Sequence, residues 1–197
     1  GHGALLDPEN RLLWRQNRLR LSGEQVRDTL LAISGKLDLT MGGPSAVQFN
    51  ARGDATFNAG GNPAFLDYEQ FDPDAPAARR RAIFRFLFRT VPDPFMDALD
   101  CPDGSVFTPV RSVSTTARQA LAMLNDPFVL HQSEHTAARL AVKAATPETQ
   151  ADAAFRLILL REPREDELTK LAAGIRQFGL PHAGHLLINS NEFLYPD

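Results

Sequence analysis

The stretch "HQSEH", from His131 to His135, places two histidines four residues apart with Glu134 between them. On a helix that spacing stacks both imidazoles on one face. The pattern H-x-x-E-H is that of one class of zinc peptidases, in which the glutamate acts as general base and a further carboxylate completes the site. Only three of its five positions are specified, and the inward face of this helix is expected to carry Phe128, Leu130 and Ala138. His131 and Glu134 then flank that face. The sequence reading is therefore a solvated helix face with no metal, and His131, Glu134 and His135 stand as the alternative.

A second group surrounds the next helix start. Arg111 precedes Ser112 and Ser114, and a cation followed by hydroxyls at a helix N-terminus suits an anion. The competing role is plain N-capping by Ser114 or Thr115. Upstream, Asp100 and Asp103 flank Cys101 on a turn punctuated by Pro102 and Gly104. These carboxylates are expected to hold the Arg111 guanidinium and to disfavour the Cys101 thiolate, leaving a structural cysteine. Arg111, Ser112, Ser114, Asp100 and Asp103 form the ligand-binding set. Catalytic residues are not assigned. No G-x-S-x-G elbow surrounds either serine, and Asp72, Asp74, Asp100 and Asp103 lack the spacing of an EF-hand loop.

The elements that must position these groups are mainly helical. Asp7, Pro8 and Glu9 read as the start of a helix through "NRLLWRQNRLR", and Ser22 with Gln25 as the capping box of a second, closed by Gly35. Residues 1–39 are thus expected to form a helical hairpin. Residues 40–113 read as a loop-rich arm. Its Gly- and Asn-rich stretch 41–63 suits a contact surface, Val47 to Phe49 a short strand, and the alternation in "RRAIFRFLFRTV" another. From Ser114 onward, helices joined by short loops predict an antiparallel bundle over 114–197. The fold class is mainly α, one domain, with a small extended insertion around residues 40–92.

Composition narrows the partners. The chain has 197 residues, 43% hydrophobic and 23% charged, with a net charge of −3 and a pI near 6.0. The basic run Arg79-Arg80-Arg81, with Arg85 and Arg89, is balanced by Asp67, Glu69, Asp72 and Asp74, so no nucleic-acid partner is expected. No apolar run is long enough to span a membrane. The single cysteine permits neither an internal disulfide nor a C-x-x-C-H haem attachment, so no cofactor is expected in this chain.

Four ordered blocks carry a resemblance: "NRLLWRQNRLRLSGEQVRDTLLAISGKLDLTMGGPS", "RRAIFRFLFRTVPDPFMDALDCPDGS", "TPVRSVSTTARQALAMLNDPFVLHQSEHTAARL" and "LLINSNEFLYPD". Together they closely resemble the C-terminal domain of unknown function of large secreted cytochrome-c-type proteins of planctomycetes and their relatives. The resemblance runs from about Asp7 to Tyr195. It implies a parent protein with c-type haem upstream, of which this chain is a later, truncated piece, and a periplasmic, secreted or cell-envelope location. Its partners would be upstream domains of the same polypeptide and an extracellular polysaccharide. The expected role is a non-catalytic structural or interaction module. The alternatives are an enzyme acting on carbohydrate or another polymer through loop carboxylates, and a zinc-dependent peptidase using His131, Glu134 and His135.

Overall fold

The computed structural model describes residues 5–15, 19–52, 65–88, 91–102, 104, 110–111 and 114–196. Asp103, Ser112 and residues 53–63 of the expected contact loop lie outside them. The described chain is mainly helical, and its helices pack on one another.

Helix α1, Gly23–Ser34, begins and ends as its sequence specifies. Gln25 N–H donates to Ser22 Oγ at 3.3 Å, and Gln25 Oε1 accepts the Ser22 N–H at 2.8 Å. Gly35 closes it with φ of 78°, a conformation open to glycine. The segment before it corrects the hairpin expectation. Residues 8–15 form turns rather than a helix, with Asn10 and Leu13 at positive φ. The cause is local competition for the backbone. Asp7 Oδ2 accepts the Leu12 N–H at 2.7 Å, and the Asn10 side chain bonds both N–H and C=O of Arg15.

The arm is held by side chains more than by ladders. Strands β1, Asn50–Arg52, and β2, Phe65–Asp67, pair antiparallel, with Ala51 opposite Leu66. The strand expected at Val47–Phe49 therefore starts one residue beyond Phe49. The alternating stretch is not a regular strand either. It is a 3₁₀ turn at Ala82–Phe84 followed by extended chain, tied to Ala46 by Ala46 N–H to Phe84 C=O at 2.7 Å and Phe86 N–H to Ala46 C=O at 2.9 Å. Phe49 stacks edge-on to Tyr68, Phe86 and Phe88. Buried Arg27 of α1 donates to the carbonyls of Ala78 and Arg80, and Asp28 accepts the Ala82 N–H at 2.7 Å. Asp74, one of the acidic residues expected to balance the arginines, lies 3.5 Å from Arg79. Asp38, Asp28 and Asp93 answer Arg80, Arg81 and Arg85.

Among the described residues, six helices follow the short α2, Pro94–Ala98: α3 Ala117–Asn125, α4 Pro127–Ala141, α5 Pro147–Ala154, α6 Glu165–Phe178, α7 Leu180–Ile188 and α8 Asn191–Leu194. Thr116, not Ser114 or Thr115, caps α3, in a box with Gln119. Asp126 and Thr146 cap α4 and α5, each followed by proline at the first helical position. A π-helical turn at Phe155–Leu159 ends α5. Helix α4 packs between α1 and α7, α6 packs on α5 and α7, and one core includes Leu30, Val129, Leu140, Phe155 and Ile188.

Candidate metal centre and an apolar groove

The rotation of α4 decides which groups can work together. Its buried face carries Val129, Gln132, Ser133, Thr136, Ala137 and Leu140. The expected inward residues Leu130 and Ala138 are exposed instead. Three polar residues tolerate burial because each is hydrogen-bonded. Ser34 Oγ donates to Gln132 Oε1 at 2.7 Å, Ser133 Oγ to the Val129 carbonyl at 2.8 Å, and Thr136 Oγ1 to the Gln132 carbonyl at 2.7 Å.

That rotation turns His131 and His135 toward the arm. Their rings stand edge-to-face with centroids 4.5 Å apart, and both are half-buried. Asp74 meets them from the arm. Its Oδ2 lies 2.8 Å from His131 Nε2, and its Oδ1 lies 2.9 Å from His135 Nε2. The hydrogen bond from His131, against a partial burial penalty and aided by that from His135, pulls the Asp74 carboxyl down to about 2. Lys36 Nζ at 3.9 Å and Arg79 at 3.5 Å also approach Oδ1. The expectation of two exposed histidines without a third carboxylate is therefore corrected. Glu134 is not that third group. It is largely exposed, 3.7 Å from Nδ1 of His131, on the ring edge away from Asp74. A peptidase reading thus lacks its base beside the shared atoms.

The Arg111 group is rearranged as well. Arg111 pairs with Glu24 of α1 at 2.9 Å and is more than half exposed. The carboxylate of Asp100 is taken up by residues at the start of α3. It accepts the Ser114 N–H and the Gln119 Nε2 at 2.7 Å each and the Ser114 hydroxyl at 2.9 Å, with Arg20 3.5 Å away. Asp100 stands at φ of 61°, and these bonds outweigh its burial to hold its carboxyl below the usual range. Asp100 and Ser114 are thus brought together, but as a structural knot before α3, and Arg111 is not part of it. Burial, reinforced by the charge of Glu24, pushes the Cys101 thiol up to about 12, in keeping with a structural cysteine.

An open groove of about 960 Å³ runs between α1 and residues 81–88. Ile83 and Leu87 on its wall are 76% and 60% exposed, whereas Arg85 between them is buried. Arg85 bonds Gln48 Oε1 at 2.9 Å and pairs with Asp93, the N-cap of α2. The period-two pattern is thus broken: residues 83, 85 and 87 would share one face of a strand, yet Arg85 turns in while Ile83 and Leu87 turn out. The charged residue goes in because its partners are there, and the two aliphatic residues are left outside. Ile83 and Leu87 lie outside the residues that the sequence singles out as candidate sites.

Residues 2–175 match the family described as PSD1, protein of unknown function (DUF1553). The chain belongs to this family. No curated protein and no solved structure matches it. The PSD1 match covers α1, the arm and α2 to α5, and reaches through most of α6. Both the Asp74–His131–His135 cluster and the apolar groove therefore lie within it. No helix among the described residues is long and apolar enough to cross a membrane.

Proposed function

We propose that this PSD1 chain is a non-catalytic interaction module of a haem-c-associated protein exported to the cell envelope or beyond, and that it packs on a sister domain through the groove between α1 and residues 81–88. The observation that carries this reading is the pattern of burial at Ile83, Arg85 and Leu87. Two large aliphatic side chains stand exposed along an apolar groove while the arginine between them is buried and paired. Exposed apolar surface lining a concave site is characteristic of contact faces. The sister domain is the chosen occupant because the sequence resemblance implies haem-bearing upstream domains in the same polypeptide. Charged residues at the groove, Glu24, Asp28, Arg81 and Arg111, are already paired with one another, in keeping with a polar rim around an apolar centre.

The test is association in trans. The chain is titrated with the haem-bearing region of its parent polypeptide, monitored by calorimetry, and compared with the Ile83→Asp/Leu87→Asp variant. Both positions are exposed, so the variant should melt close to the wild type, while association weakens by about tenfold or more. No association of the wild type, or equal association of the variant, contradicts the proposal.

A further inference from the structure

The cluster on α4 supports a second role, independent of the groove. We infer that Asp74, His131 and His135 form a binding site for one divalent transition-metal ion of the zinc type, clamping the arm onto α4.

The geometry comes first. The ligand atoms of the three residues lie within 4.8 Å of one another. Two ligands on one zinc ion stand no more than about 4 Å apart, so small side-chain rotations close the site. The histidines are four apart on a helix tied to α1 by the buried Ser34–Gln132 hydrogen bond and packed by its buried face, so both rings are presented from a rigid element. The carboxylate comes from a different part of the chain, 57 and 61 residues away from the two histidines. Asp74 is itself restrained, its N–H donating to Asp72 Oδ1 at 2.9 Å.

The donor set then selects the ion. Two imidazoles and one carboxylate suit zinc and its first-row neighbours. Calcium and magnesium require more oxygen ligands. Three protein ligands leave a coordination position for water or for a group on a partner.

The proton count is also consistent. Without metal, each Nε2 facing the ionised Asp74 is the hydrogen-bond donor. Metal binding at Nε2 requires that proton to leave or to move to Nδ1. On His131, Glu134 Oε2 stands 3.7 Å from Nδ1, where it can receive the relocated N–H and orient the ring. Glu134 is then a positioning residue. Lys36 and Arg79 oppose the ion by charge. Both reach Asp74 through Oδ1 and are solvent-accessible, so they can swing aside.

The experiment uses the full chain with any affinity tag removed, dialysed against chelator and titrated with zinc chloride by calorimetry. One equivalent should bind, and the melting temperature should rise with zinc. The His131→Gln/His135→Gln variant should lose binding by about 100-fold or more, and Asp74→Asn by about tenfold. Glu134→Gln should keep the one-to-one stoichiometry at lower affinity. No stoichiometric binding by the wild type overturns the inference. So does binding that survives in the double-histidine variant. Where that variant does not fold, X-ray absorption of the zinc-loaded wild type decides. Two imidazoles in the coordination shell support the site, and fewer contradict it. Neither result bears on the groove, whose residues are separate.

Discussion

Ser34 at the end of α1 and Gln132 in the middle of α4 share a hydrogen bond of 2.7 Å between two buried side chains. Ser34→Ala leaves the Gln132 Oε1 buried without that donor, and should cost about 1–3 kcal/mol. Ser34→Ala combined with Gln132→Leu should cost less than the two single changes summed, because no polar atom is then stranded. Chemical denaturation of the four proteins of this cycle gives the coupling. Strict additivity would mean that the pair does not set the rotation of α4.

Gly23 opens α1 against the α2 loop. A Cβ at this position would stand 2.6 Å from Cys101 Sγ and 2.9 Å from Leu99 Cβ. Alanine is the better helix former, yet Gly23→Ala should lose about 1–3 kcal/mol through overpacking. Adding Cys101→Ala should restore part of that loss, since Leu99 still obstructs. A Gly23→Ala variant more stable than the wild type in a thermal melt would refute the close approach.

Asp126 caps α4 from a partly buried position. Burial, with the nearby charge of Asp93, pushes its carboxyl up to about 6 against the opposing Phe128 N–H. The folded state thus favours the neutral form. Its contribution is fully present below about pH 4 and is lost as pH rises through 6. Asp126→Asn keeps the cap without the charge. It should gain about 1–2 kcal/mol at pH 8 and nothing near pH 4, read from denaturation at the two pH values. An equal effect at both would show that the charge is not the cause.

Arg161 joins the start of α6 to α8. It bonds both Glu167 oxygens at 2.7 and 2.8 Å and also pairs with Glu192. This pairing, followed by the Arg164 N–H, pulls the Glu167 carboxyl down to about 2. Its stabilisation is present above about pH 4.5 and disappears as pH falls through 2. Glu167→Gln should therefore cost about 1–2 kcal/mol at pH 7 and converge on the wild type near pH 2. A deficit unchanged at pH 2 would point to packing instead.

The parts of the fold legible in the sequence were those specified locally. Ser22, Gln25 and Gly35 bound α1, and Asp126-Pro127 and Thr146-Pro147 start α4 and α5, because capping and proline geometry act within one turn. Residues 8–15 misled because Asp7 and Asn10 offer the backbone other partners than the helix. The α4 face misled because Gln132, Ser133 and Thr136 are polar yet buried, and only tertiary partners reveal that. For the same reason the histidine spacing was visible while Asp74 was not. Nothing local connects an acidic turn in the arm to a helix about 60 residues later. Arg111 was recognised as a paired cation, but its carboxylate is Glu24, on a helix earlier in the chain.

In the proposed packing the groove between α1 and residues 81–88 is a contact face. Hydrogen exchange followed by mass spectrometry tests that packing, comparing this chain alone with the same chain joined to the proposed haem-bearing domain. Peptides covering residues 22–32 and 81–88 should exchange more slowly in the joined form, with α6 and α7 unchanged. Equal exchange across 22–32 and 81–88 in both would contradict the account.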